Sequence, residues 1–327
     1  MKVAISPALD PKTYVSHSLH TDERSWAETN CYVDLWIEVL HAYGMEPLAC
    51  MAFTVAIDFE GDQWTFFKFP LADLHTLYGI DVIELNVWHS MLPHIKAQLE
   101  LGRPFVVEID AFYLPDTAGS SYKTEHVKTS IAVQSIDIEE QRAGYFHAAG
   151  YYELSGDDFV GIFRQKPELR DPNILAPYVE VAKLEAKKPL EGAALATASV
   201  ELLRKHLARR PKLNPFTRYR GHFEKDVAWL QAEDLGLFHG YAFATLRQFG
   251  ACFEVTAAYL RWLDKNGQVG LAEVAAHFAK ISETAKSLQF KLARAVRTKK
   301  PIDVTPIDEM AAAWDTAMSS LVARFGA

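Results

Sequence analysis

The hydrophobic period of this chain changes near residue 165, and that change constrains the architecture more than any single motif. Before it, short runs rich in β-branched and aromatic residues alternate with turn signals. PLACMAFTVAI (47–57), QWTFFKF (63–69), residues 81–87, PFVVEIDAF (104–112), HVKTSIAVQSI (126–136) and residues 143–149 read as strands. DFEGD and IDIEEQRAG read as turns, the second joining an antiparallel hairpin. Helices are expected at 31–43, 71–78 and 90–101, with Gly44 and Gly102 ending the first and third. A further helix is expected over 156–164, capped by Ser155 with Asp158 three positions on. After about residue 165, DPNILAPYVEVAKLEA, EGAALATASVELLRKHLARR and everything from about 224 onward repeat apolar residues at the helical period. PKLNPFTRYRGH interrupts them. The expectation is α+β: a mixed domain over 1–165 and an all-helical domain over 166–327.

Length and charge narrow the function classes. The chain has 327 residues, enough for two cores, and a formal net charge of −8, which argues against a general nucleic-acid surface. Its 3 cysteines, Cys31, Cys50 and Cys252, are no disulfide framework and suit a reducing cytosol. MKVAISPALDPKTYVSH lacks a long apolar region, so no signal peptide is expected. No apolar run reaches the roughly 20 residues of a membrane span. No internal repeat is visible, no Cys/His pair has zinc spacing, and neither a Walker A motif nor GxGxxG occurs. DFEGDQW sets Asp58, Glu60 and Asp62 around Gly61 without the terminal Glu of a calcium loop, and reads as a hairpin turn.

One stretch has the makings of a nucleophile. In ETNCYVDLWIEVL, Asn30 is a strong N-cap type and Thr29 an alternative, which makes Cys31 the first helical residue. Unpaired backbone N–H groups and the positive helix end then surround the sulfur, favour thiolate and offer donors for an oxyanion. The helix is apolar on most sides, and its polar residues Asp34, Glu38 and His41 share a stripe with Cys31 that is expected to line a cleft. A buried core thiol is the competing reading.

A thiol catalyst needs a base. The first-domain histidines are His17, His20, His41, His75, His89, His94, His126 and His147. His126 stands out because it opens a strand after a loop rich in Gly, Ser and Thr, on the more polar of the two strand faces. His147, on the return strand, should come back near residues 127–133 as an orienting group, second base or substrate contact. Asp110 is a polar residue ending an apolar strand. In the second domain Arg247, Glu254 and Arg261 lie on a largely apolar helix, and Arg247 and Glu254 share a face as a structural ion pair or a phosphate contact. RRPKLNPFTRYRGH holds five Lys and Arg, which suit an acidic partner or a solvated linker.

A cysteine opening a helix, followed by a histidine opening a strand, resembles the papain-like cysteine peptidase superfamily. PFVVEIDAFYLPD…EHVKTSIAVQSIDIEEQRAGYFHAAGYYELSGDDF is similar to the N-terminal domain of the butirosin biosynthesis protein H family. Across most of its length, through ETNCYVDLW, DFEGDQWTFFKFP, DAFYLPDTAG and FHGYAFATLRQFGA, the chain resembles a bacterial family catalogued as domain of unknown function 1839, associated with amino acid:carrier-protein ligase systems. The resemblance implies a papain-like fold, with a central helix packed on an antiparallel sheet. It also implies transfer of an acyl group from the phosphopantetheine thioester of a carrier protein to an amine acceptor, with no bound cofactor or metal and with no membrane or nucleic-acid partner. By position Cys31 would be the nucleophile, His126 the base and His147 the third member, where relatives present Asp or Asn; Asp137 is a weaker substitute. Asn30, Thr29 and Asp110 would border the oxyanion site and cleft, and Trp64, Asp116 and Arg247 would contact substrate. The oxyanion glutamine of papain has no counterpart in ERSWAETN. A thioesterase or amidohydrolase with the same nucleophile, and a catalytically silent binding protein, are the alternatives.

Overall fold

The computed structural model describes residues 2–6, 8–21, 24–26, 28–169, 176–185, 189–233 and 235–326. In chain order the elements are β1 (Lys2–Ala4), α1 (Cys31–Ala42), β2 (Phe59–Glu60), β3 (Gln63–Trp64), α2 (Leu71–Tyr78), β4 (Asp81–Glu84), α3 (Met91–Glu100), β5 (Phe105–Asp110), β6 (Lys128–Asp137), β7 (Arg142–His147), β8 (Gly150–Ser155), α4 (Asp157–Ile162) and β9 (Val179–Lys183). Then follow α5 (Gly192–Leu207), α6 (Pro215–Ala232), α7 (Leu235–Ala242), α8 (Gln248–Lys265), α9 (Ala272–Thr298) and α10 (Thr305–Phe325). Two compact units result: Met1–Thr21, Asn30–Met45 and Leu74–Pro189 form the first, and Asp22–Thr29, Glu46–Asp73 and Leu190–Ala327 the second.

The first unit is built on an antiparallel sheet in the order β4-β9-β5-β6-β7-β8, with β1 also paired to β6. Alternation gives it two faces. Val107, Ile109, Ile131, Val133, Tyr145, Val179 and Val181 pack with Ile95 and Leu99 of α3 and with Phe159 of α4. On the other face lies α1, tied to β9 where Tyr32 donates to Glu180 at 2.7 Å and to β6 where Tyr43 donates to Gln134 at 2.7 Å. Asn30 caps α1 by accepting from the Tyr32 and Val33 N–H groups. Gly44, at φ 72°, ends it: Met45 N–H reaches back to the Leu40 carbonyl, a turn closed most cheaply by glycine.

In the second unit, α8 packs on α9 and α9 on α10, and a 3-10 helix over Pro47–Ala56 packs on α5 and α8. Trp64, on the β2–β3 hairpin, is buried among Phe59, Phe216, Tyr219 and Phe249. Among the described residues no helix is long and apolar enough to cross a membrane.

The mixed architecture, the antiparallel sheet and the helical C-terminal region agree with the sequence expectation, and four elements differ. Residues 47–56 form a 3-10 helix rather than a strand, because an apolar run buried on every side has no period to read, and Glu46 with Pro47 starts a helix. The strand expected over 63–69 is only Gln63–Trp64. Ser155 ends strand β8 instead of capping α4, whose cap residue is Gly156. Val179–Lys183, read as helical, is a strand between β4 and β5. The boundary expected near 165 therefore falls inside the first unit. The preceding part of that segment, 171–175, lies outside the described residues. PKLNPFTRYRGH interrupts the helices only as far as Asn214, which caps α6 through the Phe216 and Thr217 N–H groups.

Candidate active site

Cys31 opens α1 as expected. Asn30 takes the Tyr32 and Val33 N–H groups and Asp34 N–H reaches the Asn30 carbonyl, while the Cys31 N–H has no acceptor among the described residues. Of the two proposed caps Asn30 is the one used; Thr29 is buried beside it. Cys31 is half-buried, and its thiol makes no hydrogen bond among the described residues, to His126 or to any other group. Cys50 and Cys252 are buried, and burial pushes the Cys252 thiol well above its ordinary range.

The helix starts near Glu180 of β9 and ends near Gln134 of β6. The register puts Glu180 level with Val106 of β5 and Ala132 of β6, so the two anchors are separated mainly across the strands. His126 precedes Lys128 at the start of β6.

His126 stands two residues before the strand proper, stacked on Phe112 with ring centroids 4.5 Å apart, and its side chain is 70% exposed. Its Nδ1–H donates to Asp110 Oδ2 at 2.6 Å. The sheet register explains the pair: Asp110 of β5 is opposite Lys128 of β6, so its carboxylate stands beside the residues leading into that strand. Glu108 and Lys128 form an ion pair at 2.7 Å on the same face. The carboxylate that orients His126 is therefore Asp110, expected only as a cleft residue. Its signal in the sequence is an acid closing the strand before the histidine-led strand, which pair by a hairpin connection.

His147 does not fill the third position. It returns to β6 as expected, but its Nε2 accepts from Thr129 Oγ1 at 2.8 Å and its Nδ1–H donates to Asp116 Oδ2 at 2.5 Å. Tyr145 donates to the other Asp116 oxygen at 2.5 Å, and burial followed by the Asp116 charge pushes its hydroxyl well above the ordinary range. Thr129 lies on the α3 face by alternation, whereas Asp110 and Lys128 lie on the α1 face. Asp116 is thus an internal anchor of the 115–117 turn, not a substrate contact. Asp137 accepts from the Glu139 and Glu140 N–H groups in the hairpin turn, at the opposite end of β6 from His126.

The polar stripe of α1 is not an open cleft wall. His20 is sealed between Asp34, reached by Nε2–H at 3.2 Å, and Glu38, reached by Nδ1–H. Glu38 also accepts from Tyr14 at 2.5 Å and from the His17 N–H. His41 donates to the Val15 carbonyl. The segment 14–20 thus covers the stripe, a role for His20 that helical periodicity alone does not signal.

In the second unit Trp64 is core, 7% exposed, and not a substrate contact. Arg247 pairs with Glu28 at 3.4 Å and lies over Phe243. The expected Arg247–Glu254 pair does not form: Glu254 takes Arg24 at 3.0 Å and the Ser25 and Trp26 N–H groups.

No curated protein matches the chain. Two family models cover most of it, the DUF1839 N-terminal domain over residues 15–184 and the DUF1839 C-terminal domain over residues 192–323. The chain belongs to the DUF1839 family.

Proposed function

We propose that this protein is a papain-like thiol acyltransferase, taking an acyl group from a carrier-protein phosphopantetheine thioester to an amine through an acyl-Cys31 intermediate. The observation behind this reading is the Asp110-held, exposed imidazole of His126 in the same compact unit as the Asn30-capped helix start that carries Cys31. Asp110 fixes the Nδ1–H tautomer and leaves Nε2 as the basic edge. His126 takes the Cys31 proton, the sulfur attacks the thioester carbonyl, and the Cys31 N–H holds the oxyanion. The carrier thiol leaves with that proton, and the amine then takes the acyl group. Bonds of the Cys–His kind commonly tighten only when substrate is bound. A water molecule in place of the amine would make the same site a thioesterase or amidohydrolase.

The exposure of His126 and its stacking on Phe112 equally favour a second reading, a silent binding module that presents this edge to a partner. One experiment separates them. The protein is mixed with aminoacyl-loaded carrier protein and its intact mass recorded. An acyl adduct lost in Cys31→Ala and retained in Cys252→Ala supports the transferase. An adduct unchanged in Cys31→Ala, or none in wild type, refutes it.

A further inference from the structure

We propose that the basic hollow between the loop joining α5 to α6 and the β2–β3 hairpin binds a phosphate monoester on a small body. It lies wholly within the second unit and stands apart from the acyl-transfer reading.

The hollow measures about 320 Å³. That is room for on the order of ten non-hydrogen atoms, a phosphate group and a short body. The loop contributes Arg209, Arg210 and Lys212, the first turn of α6 contributes Arg218, and the hairpin segment contributes Asp58 and Glu60.

Charge selects the ligand once the internal pairs are set aside. Arg218 and Asp58 form an ion pair, and Arg218 also donates to the Phe59 carbonyl at 2.6 Å and the Leu213 carbonyl at 3.3 Å. This guanidinium braces the wall. Arg209, Arg210 and Lys212 then stand against Glu60 alone, and none of the three is in an ion pair with a carboxylate among the described residues. Asp62, further round the hairpin turn, does not line the hollow. The excess is two positive charges, on a chain whose formal net charge is −8. A phosphate monoester, whose second ionisation lies near about pH 6, supplies two negative charges above neutrality. A carboxylate or a phosphodiester supplies one, and gains correspondingly less.

The cations are held in place from behind. Asp73, fully buried, accepts from His206 Nε2–H at 2.6 Å. His206 Nδ1 therefore carries no proton, and it accepts from Arg209 Nη2–H at 2.8 Å. A buried imidazole between a carboxylate and a guanidinium fixes the direction of the Arg209 fork, a constraint that a solvated loop cation does not need. Lys205 stands 3.8 Å from the other Asp73 oxygen, so Asp73 has its own cation and does not offset Arg209. Arg210 donates through Nη1 to the Leu207 carbonyl at 2.8 Å. The backbone N–H groups of Ala208, Arg209 and Arg210 already satisfy the last carbonyls of α5, so capping does not consume these side chains. A guanidinium has five N–H donors. Among the described residues Arg209 and Arg210 each spend one on the protein, which leaves the others for phosphate oxygens.

The test titrates glycerol 3-phosphate and dimethyl phosphate into the full chain by calorimetry, at low ionic strength and mildly alkaline pH. Glycerol 3-phosphate should bind at least about tenfold more tightly than dimethyl phosphate, which carries one charge. Arg209→Gln combined with Lys212→Gln should weaken it about tenfold or more. Arg209→Lys, which keeps the charge and loses the fork, should weaken it about threefold or more. Circular dichroism confirms that the variants fold. Equal affinity for the two probes, no binding of glycerol 3-phosphate, or unchanged affinity in either variant protein overturns the proposal.

Discussion

Replacing His20 by Gln should flatten the pH dependence of stability between about pH 6 and about pH 9.5. Burial alone would lower the His20 pKa, but its hydrogen bonds to Asp34 and Glu38, with their charges, win and raise it from 6.5 to about 9. The sign follows from which state binds the proton more tightly. A histidine raised in the folded state stabilises fully below its unfolded value and loses that contribution as pH rises through the folded value. At about 1.4 kcal/mol per pH unit, the gap between 6.5 and about 9 corresponds to about 3 kcal/mol. All three side chains are sealed, so solvent screening reduces this little. Near pH 6 the variant leaves two buried carboxylates without their cation and should be destabilised by about 3–5 kcal/mol. Near pH 9.5 the wild-type imidazole is itself largely neutral, and the gap should shrink by about 3 kcal/mol. Urea unfolding of both proteins at the two pH values measures it. A gap that stays constant across that range refutes the charged-histidine account of the 14–20 strap.

Three further outcomes follow from the same geometry. Asp110→Asn should slow formation of the Cys31 adduct by about 10²-fold or more and alter its pH profile, measured by quenched intact-mass time courses, since it removes the charge that fixes the imidazole tautomer. Asp116→Ala should cost about 3 kcal/mol in urea melts by stranding His147 and the Tyr145 hydroxyl, with the adduct rate per folded molecule unchanged. Trp64→Ala, in the aromatic cluster of the second unit, should cost about 3–5 kcal/mol by denaturant titration, and a small loss would mean the cluster collapses around the gap.

Local signals were the legible ones. Asn30 as a cap, Gly44 and Gly102 as helix stops, and the hairpin between β6 and β7 each rest on a few adjacent residues, and each is where the sequence puts it. What failed depended on distant partners. PLACMAFTVA is apolar on every side, so only its packing on α5 and α8 distinguishes helix from strand. PYVEVAKLEA has a period that fits a helix, yet Val179–Lys183 is held between two strands with Glu180 buried against Tyr32. The site divides the same way. Cys31 and His126 are marked by their positions at the starts of elements, while Asp110 becomes the partner of His126 only through the β5–β6 register.

The two His–Asp pairs of the first unit show why position alone misassigns the third member. Both histidines lie on or just before the β6–β7 hairpin, and each finds an aspartate through Nδ1. What differs is the second nitrogen. His147 Nε2 is already hydrogen-bonded to the Thr129 hydroxyl and its side chain is buried, so neither ring nitrogen is presented to a substrate. His126 has a single hydrogen bond among the described residues and an exposed ring, so Nε2 can accept a proton with water or substrate beside it. A base must present one nitrogen to its substrate, and of the two only the His126 ring is exposed. The parity of the strands enforces the separation: Thr129 and Lys128 face opposite sides of β6, so one aspartate is spent on holding a turn while the other orients a ring at the open end of the sheet.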